Sequence, residues 1–100
     1  MAQGIDAISN ALRNDREERV RIAAVKALSW INTEHVIQPI IYALEDRNWN
    51  VRAMAAQELR KLGDLRALEP LRELLNDDDP TVSGLASNAI NDIEKKNSKS

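Results

Sequence analysis

Apolar residues recur at three- and four-residue spacing in short blocks along this chain, and the blocks themselves recur every 31 residues. Val36, Ile37, Ile40, Ile41 and Leu44 form one such stripe, and Val51, Leu59 and Leu62 belong to the next. That spacing predicts helices with one buried face. Val20, Val51 and Val82 keep the 31-residue step, as do Asp15, Asp46 and Asp77, and Ala24, Ala55 and Ala86. Leu28, Leu59 and Ile90 follow it too, and so do Pro39 and Pro70. A fixed period of this size marks an array whose units bury their apolar faces by stacking on one another. The expected fold is therefore all-α, an α-solenoid of three helical hairpins with six helices.

Turn chemistry places the ends. In the second unit the first helix is predicted over Glu34–Glu45 and the second over Trp49–Leu62, with Asp46-Arg47-Asn48 between them. Asn48 is suited to cap the second helix, and Gly63 to end it in a left-handed conformation. Asp64 should cap a helix over Leu65–Asn76, and Asp79 the last one, with Pro80 at its first position. The units are read as about 3–31, 34–62 and 64–94 of a single domain spanning 1–94, leaving 95–100 as a flexible tail. In the first unit one extra residue falls near Arg13 and Asn14. Pro39 and Pro70 sit about one turn into their helices, so a bend is expected there.

The stretch Gly63 to Leu71, followed by Leu75, Asp77, Asp79-Pro80, Val82 and Ala86, resembles the HEAT-like repeats of phycobilisome bilin lyases. Residues 47–56 are similar to the second helix of the same unit. The resemblance covers roughly residues 5–94 and implies a right-handed superhelix, first helices outside and second helices lining the concave side. It implies a binding protein, although lyase subunits, deoxyhypusine hydroxylase and a DNA glycosylase group share the repeat. It also implies that the arginine of each Val-Arg pair bridges to the loop aspartate of an adjacent repeat. Here Val20-Arg21 and Val51-Arg52 keep the pair, and Val82-Ser83 does not.

No constellation for catalysis stands out. Cysteine is absent and His35 is the only histidine, preceded by Glu34 in the reverse of the hydroxylase His-Glu order. One imidazole cannot hold an iron pair. The serines share that histidine, and no nucleophile elbow or phosphate loop is present. Asp77-Asp78-Asp79 lacks the glycine and terminal glutamate of a calcium loop and reads as helix capping. The chain is accordingly expected to be no enzyme, with no catalytic or metal residues and no cofactor. Glu58 falls beside a core stripe where a carboxylate is costly. It reads as a paired acid at a groove edge, with Lys61 a candidate partner, or else as an acid that binds a ligand.

Partner chemistry follows from the outward ridge of the second helices. On a helical wheel this ridge runs through Ile22, Val25, Lys26 and Ser29, then Ala53, Ala56, Gln57 and Arg60, then Gly84, Ser87, Asn88 and Asn91. Trp30 lies on its flank, where it either stacks on the second repeat or stands in the groove. Trp49 is expected to cover its turn. Ile22, Val25, Lys26, Trp30 and Arg60 are the candidate partner-binding residues, because exposed apolar side chains beside an aromatic form a typical protein-binding patch. The competing reading is a helix phase off by one residue, which would put Ile22 and Val25 in the core. The function so read is a cytoplasmic scaffold that binds a protein, with a homodimer through the first repeat as another way to cover these side chains. A lyase-type accessory subunit is the alternative closest to it. Nucleic acid is the other alternative, disfavoured by a net charge of −2 spread evenly along the chain and by only three nearby cations, Lys26, Arg60 and Lys61. No segment reads as a membrane span or a secretory signal.

Overall fold

The computed structural model describes residues 2–98. Six α-helices follow one another: α1 (Ala2–Asn14), α2 (Glu18–Ile31), α3 (Ile37–Ala43), α4 (Trp49–Leu62), α5 (Leu68–Glu73) and α6 (Pro80–Asn97). Short 3-10 turns at Glu34–Val36, Leu65–Ala67 and Leu74–Asn76 extend α3 and α5. The described residues contain no strand, and the fold is the all-α solenoid of three hairpins.

The capping residues act as their chemistry dictates. Asn48 accepts from the Asn50 N–H, Asp64 from Arg66, and Asp79 from both Thr81 and Val82. Gly63 ends α4 at φ 69°, and Asn32, one period earlier, ends α2 at φ 51°. Pro39 and Pro70 each occupy the third position of an α segment preceded by a 3-10 turn. Amides of a first α turn have no intrahelical acceptor, so the prolines lose little there.

The extra residue of the first unit is absorbed by helix geometry. At the end of α1 the Asp15 N–H bonds Ala11 O, four residues back. Leu44, Glu45 and Asp46 instead bond three residues back, and Asp77 bonds Leu74. A 3-10 turn takes three residues where an α turn takes 3.6, so the tighter ends use a shorter chain.

The second helices α2, α4 and α6 pack side by side, whereas α1, α3 and α5 touch one another sparsely. The second helices thus form the more continuous layer, the one expected to line the concave side. The molecule is a slab 35 × 32 × 16 Å, two helices thick. Leu28, Val36, Ile40, Val51, Leu59, Leu71, Val82 and Ile93 are fully buried between the layers.

Arginines tie the repeats together. Arg21 Nε and Nη2 donate to both carboxylate oxygens of Asp46, at 2.8 and 3.1 Å, while Nη1 donates to the carbonyls of Asp15 and Arg16. Arg52 repeats the fork one period on, to Asp77 at 2.7 and 3.0 Å and to Asp46 O at 2.8 Å. Each aspartate also caps its own turn, Asp46 for Asn48 N–H and Asp77 for Asp79 N–H. Among the described residues the Asp15 carboxylate accepts only from the Glu17 N–H of its turn, and Ser83 donates to Pro80 O where the arginine is missing.

The last helix runs past the end expected at Glu94. Its apolar period stops at Ile93, but Lys96 Nζ donates to Leu62 O at 3.3 Å and Asn97 Nδ2 to Gly63 O at 3.1 Å. These carbonyls at the end of α4 have no helical partners of their own. Residues 95–97 are thus helical, and Lys99 and Ser100 of the expected tail lie outside the described residues.

Candidate functional site

Three neighbours cover a central second helix: its own first helix and the second helices on either side. The exposed arc is therefore narrow. On α2 it carries Arg19, Ala23, Lys26 and Trp30, and on α4 Gln57, Arg60 and Lys61, with half-buried Met54 among them. On α6 the corresponding positions hold Thr81, half-buried Leu85, Asn88 and Asp92.

This arc corrects the expected ridge. Val25 is completely buried, Ala56 likewise, and Ala53 nearly so; Ile22 is half-buried against the core. Val25 is a core residue and not part of a partner site. The wheel set the ridge directly opposite the face that packs on the hairpin's own first helix, as if nothing else covered the helix. Stacking on the following repeat buries a second arc, and it takes in Arg21, Val25 and part of Ile22. The fall in apolarity along the ridge follows from this: Val25 and Ala56 have a helix beyond them, while Ser87 is on the last described helix and exposed.

Trp30 is 88% exposed, so it does not stack on the second repeat, and it borders an open concavity. Lys26, one turn earlier on the same face, is exposed as well. Arg60 is exposed but engaged: its Nε donates to Asp92 of α6, so it bridges two repeats. Trp49 covers its turn only in part, remaining 43% exposed.

Beside Trp30 a concavity of about 320 Å³ opens between α2 and α4. Lys26 and Lys61 flank it, with Leu62 and the end of α2 around it. Its buried member is Glu58, only 7% exposed, whose Oε2 accepts from Lys61 Nζ at 3.3 Å. Among the described residues Glu58 Oε1 takes no hydrogen bond. Sequence reasoning singled out Glu58 and its lysine but did not connect them with Trp30. Asn32 and Gly63 end their helices one period apart, and that alignment could have linked the end of α2 to the end of α4.

A larger groove, about 670 Å³, lies on the opposite layer between α1 and the start of α3, lined by Asp6, Ser9, Arg13 and His35 among others. His35 is exposed in the 3-10 turn Glu34–Val36. The acidic run has structural tasks. Burial pushes the Asp77 carboxyl up, but the Arg52 guanidinium and the Asp79 N–H more than offset this, leaving it below the ordinary carboxylate value. The Arg66 fork holds Asp64 low in the same way.

A profile of HEAT repeats matches residues 5–91. The chain belongs to this family. HEAT repeats generally mediate protein interaction. A relative, the phycocyanobilin lyase subunit alpha of Picosynechococcus sp., is 33% identical over 79 residues, which is 73% of this chain. The chain spans 30% of that relative's length. Among the described residues no helix of this HEAT-repeat protein is long and apolar enough to cross a membrane.

Proposed function

We propose that this HEAT-repeat chain is a scaffold that holds a protein partner along the concave face of α2, α4 and α6. The observation that carries the reading is Trp30. An indole left 88% exposed is unfavourable in an isolated domain, and tryptophan is among the residues that most often dominate interface energy. Lys26 stands beside it, the exposed edge of Ile22 and the half-buried Met54 and Leu85 extend the apolar strip, and Arg60 sits at the rim in its pair with Asp92. The likeness to a lyase subunit favours one form of the same function, an accessory piece of a larger assembly.

The test is capture from native lysate with three baits: the wild-type chain, Trp30→Ala, and Tyr42→Ala on the outer layer. A protein retained by wild type and Tyr42→Ala, and lost with Trp30→Ala at unchanged melting temperature, supports the concave face. Loss with Tyr42→Ala alone moves the site to the outer layer. Concentration-dependent sedimentation sensitive to Trp30→Ala would make the partner a second copy, and an oligonucleotide shift at low salt would replace the protein reading altogether.

A further inference from the structure

Glu58 poses a problem that its own chain solves incompletely. A carboxylate this little exposed favours donors on both oxygens, and here Oε1 has no protein donor among the described residues and opens to the concavity. Glu58 is 7% exposed and, among the described residues, takes one hydrogen bond, at 3.3 Å from a lysine whose side chain is itself 71% exposed. Charge-assisted bonds of this type are normally 2.7–2.9 Å, so the pairing is weak. Other buried acids of this chain are treated differently: Asp46 and Asp77 each receive a two-pronged guanidinium and a backbone N–H. At Glu58 the second prong is missing, and a concavity opens there with Trp30 at its edge.

We propose that this pocket receives an arginine side chain of the protein partner, its guanidinium on Glu58 and its plane against the Trp30 indole. The proposal rests on the concave-face reading and names the chemistry of the occupant. A guanidinium fits because its planar fork matches both carboxylate oxygens, and its face stacks on an aromatic ring. The volume of about 320 Å³ accommodates such a side chain. Two lysines at the mouth, Lys26 and Lys61, would at first sight favour an anion. Both lysines are exposed and screened by water and salt, whereas the Glu58 oxygen without a protein donor faces the concavity itself. An anion in the concavity would have to sit against the Glu58 carboxylate. Lys61 occupies the site in the free chain and swings out when the guanidinium arrives.

Titration of the full chain with acetyl-Gly-Arg-Gly-amide, followed by proton–nitrogen NMR, tests this. Matched peptides carry citrulline, the neutral shape-mimic, or glutamate in place of arginine. The arginine peptide should shift the Trp30 indole and the Ser29, Glu58 and Lys61 amides saturably, in the millimolar range expected of one side chain. The citrulline and glutamate peptides should not. Glu58→Gln should abolish the response, and Lys61→Ala, which removes the competing cation, should tighten it about two- to fivefold. No saturation with the arginine peptide, equal binding of citrulline, or persistence in Glu58→Gln would overturn the proposal. So would binding of the glutamate peptide that weakens in Lys61→Ala, since that describes an anion site. Failure here with Trp30→Ala still abolishing partner capture would leave the concave face intact and remove only its arginine. Arginine binding without any effect of Trp30→Ala on capture would do the reverse.

Discussion

Arg21 and Arg52 occupy equivalent positions, yet they do not carry equal weight. Arg21 is 2% exposed against an aspartate at 8%, while the Arg52 side chain retains 18%. Removing one member of a sealed pair strands a charge and costs about 3–5 kcal/mol, whereas a charged hydrogen bond nearer water contributes about 1.5–3 kcal/mol. Arg21→Ala should therefore lower the free energy of urea unfolding more than Arg52→Ala, and the opposite order would mean that burial does not set the strength of the ladder. Asp77 adds a pH dependence. Its carboxyl titrates below its unfolded value of about 3.9, so its contribution is complete above that value and disappears as pH falls through the lower folded one. Asp77→Asn should cost stability at neutral pH and flatten the acid limb of a stability-versus-pH curve below about pH 4. A parallel limb in the variant would assign that acid sensitivity to other carboxylates.

Among the helices, the second ones end alike but with different residues. Gly63 and Asn32 both take positive φ, at 69° and 51°. Glycine adopts this region freely, asparagine tolerates it, and other L-residues lose roughly 1–2 kcal/mol there. Gly63→Ala should reduce the melting temperature, helped by the side chain of Lys96, which lies where the new methyl would go. Asn32→Gly should leave it unchanged or raise it slightly. If both substitutions act with the same sign and size, the left-handed ends are not what these residues provide. The first helices show a different economy: α1 closes in α geometry, while the chain after α3 and α5 tightens into 3-10 form. That single change absorbs a one-residue difference in repeat length without disturbing the register of the core.

Stacking makes the molecule nearly one-dimensional, and stability should follow the stack. Helix α4 is packed by α2 on one side and α6 on the other, as well as by α3. Local opening is cheapest where fewest neighbours must be given up. Amide hydrogen exchange should therefore be slowest in α4, around Val51 to Leu59, and faster in α1 and the final turn of α6. Slower exchange in α1 than in α4 would contradict a stability built from nearest-neighbour contacts. The same geometry places the candidate site: the groove beside Trp30 exists because α2 and α4 end side by side, one repeat apart.

Period and turn chemistry were enough to determine the six helices, their caps at Asn48, Asp64 and Asp79, and the left-handed end at Gly63, because each depends on residues within a few positions of it. The link from arginine to loop aspartate was also legible, through the family resemblance, since the period fixes which aspartate comes next. What lay beyond the sequence was the width of the buried arc. A wheel describes one helix facing one neighbour, but here the following repeat covers a second arc, which takes Val25 into the core and leaves Trp30 outside. The continuation of α6 to Asn97 had the same origin, since Lys96 and Asn97 find their acceptors at residues 62 and 63, some 34 positions away. Glu58 stood out in the pattern as an acid too close to the core. Only the packing of α4 against α2 decided that it borders a pocket shared with Trp30, because no local rule determines which side chains from successive repeats come together.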